Sequence, residues 1–186
     1  ILSYLIHEGL LSEETYAVFH PSVANRLDRN TSGIVLAGKT LAGQQFLSDI
    51  LRDRSAKKIY HCIVRGKVEE EMHLKGYLLK DERSNQVQIF SDETQDAKPI
   101  ETAYRPLVVG PDATLLEVHL ITGRSHQIRA HLASIGHPIA GDPKYGDMVW
   151  NKKLRQDFSV RSQLLHAYSI TLPDGRTFIA DEPEIF

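Results

Sequence analysis

An α+β fold with a mixed, largely antiparallel central sheet flanked by helices and loops is predicted by three features of the 186-residue sequence. Apolar patterning marks more strands than helices, neighbouring strands have short turn-prone connections, and no repeat, linker or low-complexity stretch divides the chain. Residues 1–186 therefore read as one domain. Leu2, Leu5 and Ile6 fall at helical spacing, with Gly9 as a stop. Ile34 to Ala37, bounded by Gly33 and Gly38, reads as a short buried strand. Thr40 can cap a helix whose apolar stripe is Phe46, Leu47, Ile50 and Leu51. Ile59 to Val64 reads as a strand. The acidic region between Val68 and Glu101 reads as hairpins, including Gln86 to Phe90 after the turn-prone run Asp81 to Asn85. Strands over Thr102 to Val109 and Thr114 to Leu120 are parted by Gly110-Pro111-Asp112. A helix follows with Ser125 as N-cap and Ile128, His131, Leu132 and Ile135 on one stripe, stopped by Gly136 and Pro138. Pro138 to Gly146, dense in Gly and Pro, must be a shaped loop. Strands over Leu164 to Ile170 and Thr177 to Ile179 close the chain around Pro173-Asp174-Gly175.

Composition bounds the function classes. Hydrophobic residues at 41% and charged residues at 25% are ordinary for a soluble globular domain, and no window approaches the roughly 20 apolar residues of a membrane span. The single cysteine, Cys62, excludes a disulfide framework and a multi-cysteine zinc site; it suits a reducing compartment and reads most simply as a small core residue. Ile1 to Gly9 carries no basic start or cleavage pattern, so an exported precursor is not expected.

The net charge of −2 hides a segmental pattern. Residues 22–65 hold eight Lys/Arg against three Asp/Glu, and residues 121–165 hold seven against three. Three acidic segments separate and flank these blocks. If the basic blocks meet in the fold, they form a positive cleft that can attract a polyanion.

Three segments carry the chemistry. In Asn25 to Gly33, Asp28 lies between Arg26 and Arg29 in a turn-like run. An acid so placed reads as held ionised and suited to nucleophilic or electrostatic work. Taken alone, the run also fits a surface ion-pair cluster worth about 0 to 1 kcal/mol. In Thr122 to Arg129, a strand-to-helix junction carries Arg124, His126 and Arg129 where a first helical turn prefers acids. With Gln127, it forms a site for phosphate or a partner carboxylate. In Lys58 to Cys62, strand alternation places Tyr60 on the same face as Cys62 and Val64, as core filler or as a surface on which a base stacks.

Assembled in order, these segments resemble the RluA-type pseudouridine synthases nearly end to end. The resemblance is carried by Arg26-Leu27-Asp28-Arg29 with Thr31-Ser32-Gly33, Lys58-x-Tyr60, Thr122 to Arg129, Gly136-His137-Pro138-Ile139 with Gly141-Asp142-Pro143-x-Tyr145-Gly146, and Leu165-His166-Ala167. It implies the catalytic fold of that family and isomerisation of uridine in RNA, most of all large-subunit ribosomal RNA, to pseudouridine, without cofactor or metal. It also implies a cytoplasmic monomer. Asp28 corresponds to the family's catalytic aspartate, Arg129 to the arginine that pairs with it, and Tyr60 to the active-site tyrosine, which stacks on uracil and can serve in a late deprotonation. Leu165 takes the apolar pocket position. Arg26, Arg29, Arg124, His126 and Gln127 are the expected RNA contacts. Asn25 and Asn30 depart from the family's usual His and Asp. The family's Lys-Pro strand, and the small RNA-binding domain that often precedes it, are expected to be lacking here.

Two other expectations remain open at this level: action on transfer RNA, and a non-catalytic RNA-binding module of the same fold. A zinc hydrolase fits poorly, because His126 and His131 are five apart rather than i, i+4. A serine hydrolase fits worse, since no G-x-S-x-G turn occurs.

Overall fold

The computed structural model describes residues 1–186. Its elements in chain order are α1 (Leu2–His7), α2 (Glu13–Val18), β1 (Ser32–Gly33), α3 (Leu41–Arg52), β2 (Lys57–Arg65), β3 (Met72–Asp81), β4 (Gln86–Phe90), β5 (Lys98–Val109), β6 (Ala113–Leu120), α4 (Gln127–Ser134), α5 (Met148–Phe158), β7 (Leu165–Thr171) and β8 (Thr177–Ile179). One eight-stranded sheet runs β1-β7-β2-β6-β5-β3-β4, with β8 pairing β7. Every pairing is antiparallel except β1 with β7, so the sheet is mixed and largely antiparallel. No helix is long and apolar enough to cross a membrane.

The main core lies where strand alternation directs it. Tyr60, Cys62 and Val64 on β2 pack with Leu116 and Val118 on β6, Ile128 and Leu132 on α4, Ile139, and Leu165 on β7. This places α4 across the sheet and fixes which way its polar face looks. A second cluster joins Ile50 of α3 to Ile170 and Leu172, with Ile34, Leu36, Leu47 and Leu51 packed against it. Thr40 caps α3, its side chain accepting from the Gly43 N–H at 3.1 Å.

Four sequence expectations change. The buried strand over Ile34 to Ala37 is reduced to an extended segment beyond the two paired residues of β1, with Val35 exposed. Its polar groups are met locally: Asn25 Nδ2 donates to the Ile34 carbonyl at 3.3 Å and Asn25 Oδ1 accepts from the Leu36 N–H at 2.7 Å. The amide adds to backbone bonds from the Ala24 N–H to the Leu36 carbonyl at 2.7 Å and from the Ile34 N–H to the Ala167 carbonyl at 3.0 Å. Ser125 is not the cap of α4; His126 is, in the left-handed region at φ 55°. Helix α2 was not foreseen, although Ser12 and Thr15 form a reciprocal capping box ahead of it. Helix α5 was also missed; Asp147 caps it, accepting from the Trp150 N–H at 2.7 Å.

His131 on α4 is buried against β5, its Nδ1 3.1 Å from Thr102 Oγ1. Burial lowers its pKa to about 4, against an ordinary value of about 6.5. Between those values the unfolded chain binds a proton that the folded chain rejects, so this contribution is full above about pH 6.5 and falls toward about pH 4. Urea denaturation is expected to give a lower midpoint at pH 5 than at pH 7.5, with His131→Gln reducing the difference.

Candidate active site

The turn that carries Asp28 is held from several sides. The Thr31 N–H donates to the Asp28 carbonyl at 3.0 Å, and Asn30 takes a positive φ of 68°. Gln163 Nε2 donates to the Arg29 carbonyl at 2.6 Å and reaches Thr31 Oγ1 at 3.2 Å. Ser32 Oγ lies 2.7 Å from His166 Nδ1, while His166 Nε2 donates to the Ala180 carbonyl at 2.9 Å. The Ser32 hydroxyl therefore donates to Nδ1. Gly33, at φ 108°, lies so close to β7 that a Cβ there would meet the Ala167 carbonyl oxygen at 2.3 Å. Only glycine permits this approach.

Across the cleft, α4 presents Arg129, which is only 4% exposed. Its Nη1 donates to Asp28 Oδ2 at 3.1 Å. The opposite edge is held by Asp142, with Nε to Oδ2 at 2.7 Å and Nη2 to Oδ1 at 2.9 Å. Burial alone would lower the Arg129 pKa, but the hydrogen bonds and charges of Asp142 and then Asp28 raise it, so the guanidinium is firmly charged. Arg26 and Arg29, which flank Asp28 in sequence, make no ion pair with it. Asp28 Oδ1 has no protein partner. In the sequence Asp142 reads only as part of the Gly- and Pro-rich loop motif.

Tyr60 and Leu165 lie in the same cleft, on adjoining strands. Burial, then the charge of Asp28, pushes the Tyr60 hydroxyl up to about 12. At neutral pH this hydroxyl keeps its proton. His126 Nδ1 lies 2.8 Å from the Tyr145 hydroxyl, which also accepts from the Val87 N–H at 3.0 Å. The Tyr145 oxygen has two lone pairs, so it can take both the Val87 N–H and a proton on Nδ1, or donate its own proton to Nδ1. Burial lowers the His126 pKa despite the opposing field of Asp28, which favours the neutral imidazole.

The cleft encloses about 740 Å³. Its charged walls are Arg26, Arg52, Arg54, Lys58, Arg124 and Arg129, and its only carboxylate is Asp28. The two basic segments of the sequence therefore converge. Lys58 is partly desolvated, and burial followed by the charge of Arg54 lowers its pKa. Neither has a carboxylate partner, and neither do Arg26 or Arg124. Arg52, Arg54 and Lys58 had not been singled out as contacts; the density of charge from Arg52 to Lys58 was their signal. Two expected contacts offer no free group to the cleft, although Gln127 forms part of its wall. Arg29 is exposed but does not line the cleft. Gln127 is 2% exposed and its amide is fully used: Nε2 donates to the Glu101 carbonyl and Thr102 Oγ1, and Oε1 accepts from Thr122 Oγ1 and the Arg124 N–H. It shapes the turn before α4 and has no free group for a ligand. Gln127→Ala is expected to cost ~1–3 kcal/mol in urea denaturation, from the partners left unpaired.

The sequence profile described as RNA pseudouridylate synthase matches residues 6–134. The chain is 37% identical over 177 residues to "Ribosomal large subunit pseudouridine synthase C" of Haemophilus ducreyi, covering 95% of this chain and 54% of that protein. It is 36% identical over 159 residues to "tRNA pseudouridine synthase C" of Vibrio cholerae, covering 80% of this chain and 65% of that protein. The chain thus spans about half to two thirds of these relatives. Human RNA Pseudouridylate Synthase Domain Containing 1 shares the fold, with a TM-score of 0.73 at 23% identity, over 93% of this chain and 73% of that one. A family profile over most of the chain and a 37% identical relative aligned over 95% of it lead to one conclusion: the chain belongs to the RNA pseudouridylate synthase family.

Proposed function

We propose that this chain isomerises specific uridines in RNA to pseudouridine, in large-subunit ribosomal RNA, as a cytoplasmic enzyme. The observation that carries the reading is a single carboxylate, Asp28, oriented by Arg129 in a cleft otherwise lined by cations. A polyanion supplies the charge that the walls of the cleft lack. The free Oδ1 of Asp28 is the atom that attacks the ribose or takes its proton, while Oδ2 stays bound to Arg129. Tyr60 and Leu165 offer an aromatic face and an apolar wall to a uracil taken out of the stack, at a cost of a few kcal/mol. The Tyr60 hydroxyl, protonated at neutral pH, is able both to donate and to accept a hydrogen bond. His126 and the basic side chains of the rim hold the neighbouring phosphates and displaced bases.

A second reading, transfer RNA as substrate, is favoured by the relative of that name at nearly equal identity. Incubating the protein with ribosomal and transfer RNA and mapping pseudouridine separates the two. Asp28→Asn is expected to reduce product formation by roughly 10³-fold or more in either RNA; activity that survives the substitution contradicts the assignment.

Arg54→Gln and Lys58→Gln provide an independent check on the cleft. Each should weaken RNA binding and reduce the slope of log K against log[salt] by roughly 0.7 to 1. An unchanged slope would place the RNA on another face.

A further inference from the structure

We infer that Asp142 is a positioning residue for the reaction, acting through Arg129 to set the direction and the charge balance of Asp28; the inference rests on the isomerase reading above. Asp142 is fully buried and does not line the cleft, so it does not touch substrate. Its carboxylate is fixed before it meets Arg129. Oδ1 accepts from the Lys144 N–H at 2.8 Å and the Tyr145 N–H at 3.1 Å. Its carbonyl accepts from the Gly146 N–H at 3.1 Å and from Asn151 Nδ2 at 2.8 Å. Asn151 also accepts from the Gly141 N–H at 2.8 Å, which ties the loop to α5. A Cβ at Gly146 would meet the Asp142 carbonyl oxygen at 2.2 Å, so the loop closes this tightly only with glycine.

The consequence is geometric and electrostatic. Asp142 takes the Nε/Nη2 edge of Arg129 with two hydrogen bonds, and the Tyr145 ring lies 5.3 Å from the guanidinium carbon. With that edge occupied, it is Nη1 that makes the contact to Asp28. One positive charge is thus shared by two carboxylates, and the buried one holds the larger share through its bidentate contact. Asp28 is oriented by a single bond without being fully neutralised, which suits a group that must react. Substituting Asp142 removes the competing anion and frees the guanidinium to swing.

The test compares wild type, Asp142→Asn, Arg129→Gln and the double variant in single-turnover isomerisation against pH, with RNA affinity measured in parallel. Asp142→Asn is expected to slow the chemical step by roughly 10- to 100-fold, with RNA affinity within about two-fold. Its acid limb should move to lower pH, because the Arg129 charge then bears on Asp28 alone. In the Arg129→Gln background the same substitution should add no loss, since the path to Asp28 is already cut. If Asp142→Asn does not fold, Asp142→Glu keeps the charge but displaces it: a slowed step with an unmoved acid limb is expected, and a wild-type rate overturns the inference. It is equally overturned by multiplicative losses in the double variant, by a wild-type rate and profile in Asp142→Asn, or by affinity falling in step with rate. A wild-type protein that isomerises no uridine overturns the isomerase reading itself, and this inference with it.

Discussion

Arg129, with almost no solvent exposure and a carboxylate on each side, is the constraint that the rest of the site depends on. A buried charge costs several kcal/mol unless it is paired and hydrogen-bonded, and removing one partner of such a pair costs about 3–5 kcal/mol. The guanidinium is therefore stable only where the turn at Asp28, helix α4 and the loop at Asp142 arrive together. Asp142 answers the same constraint from its own side. Burial would raise its pKa, but the Arg129 hydrogen bond and charge, then the Lys144 and Tyr145 N–H groups, bring it below the ordinary carboxylate value.

The sheet supplies the rigidity this requires. β7 bonds the Asp28 turn through the Gly33 approach and the His166 to Ser32 contact, and its first residue, Leu165, forms part of the cleft. β2, next in the sheet, contributes Tyr60 and Lys58. β6 leads through the Gln127-braced turn into α4, so Arg129 inherits its direction from a hydrogen-bonded corner rather than from a free loop. Charge follows the same route: the two basic segments are far apart in sequence, and the pairing of β2 with β6 brings their ends to one opening.

Much of this was legible in the sequence for reasons that can be named. Strand alternation gave β2 and its inward face, Thr40 gave the start of α3, and the family resemblance implied the meeting of Asp28 with Arg129. Tertiary hydrogen bonds outside that resemblance did not show. Gln127 looked like a contact because it is polar at a helix start, yet its amide is consumed by Glu101, Thr102, Thr122 and Arg124. Asp142 stood in a loop whose Gly and Pro content drew the reading to its backbone, and no local pattern reveals that its carboxylate meets a residue thirteen positions earlier. Asn25 departs from the family's usual residue but bridges the Ile34 carbonyl and the Leu36 N–H, a role visible only once the two segments are seen side by side.

The most direct measurement is nitrogen NMR of the Arg129 guanidinium in the protein without RNA. Restrained rotation, with two distinct Nη signals protected from solvent exchange, is the predicted result. In Asp28→Asn, the Nη1 signal should shift while Nε and Nη2 hold their positions. A single averaged Nη signal, or fast exchange of all three nitrogens with water, would contradict the account of Arg129 as a fixed bridge between Asp142 and Asp28.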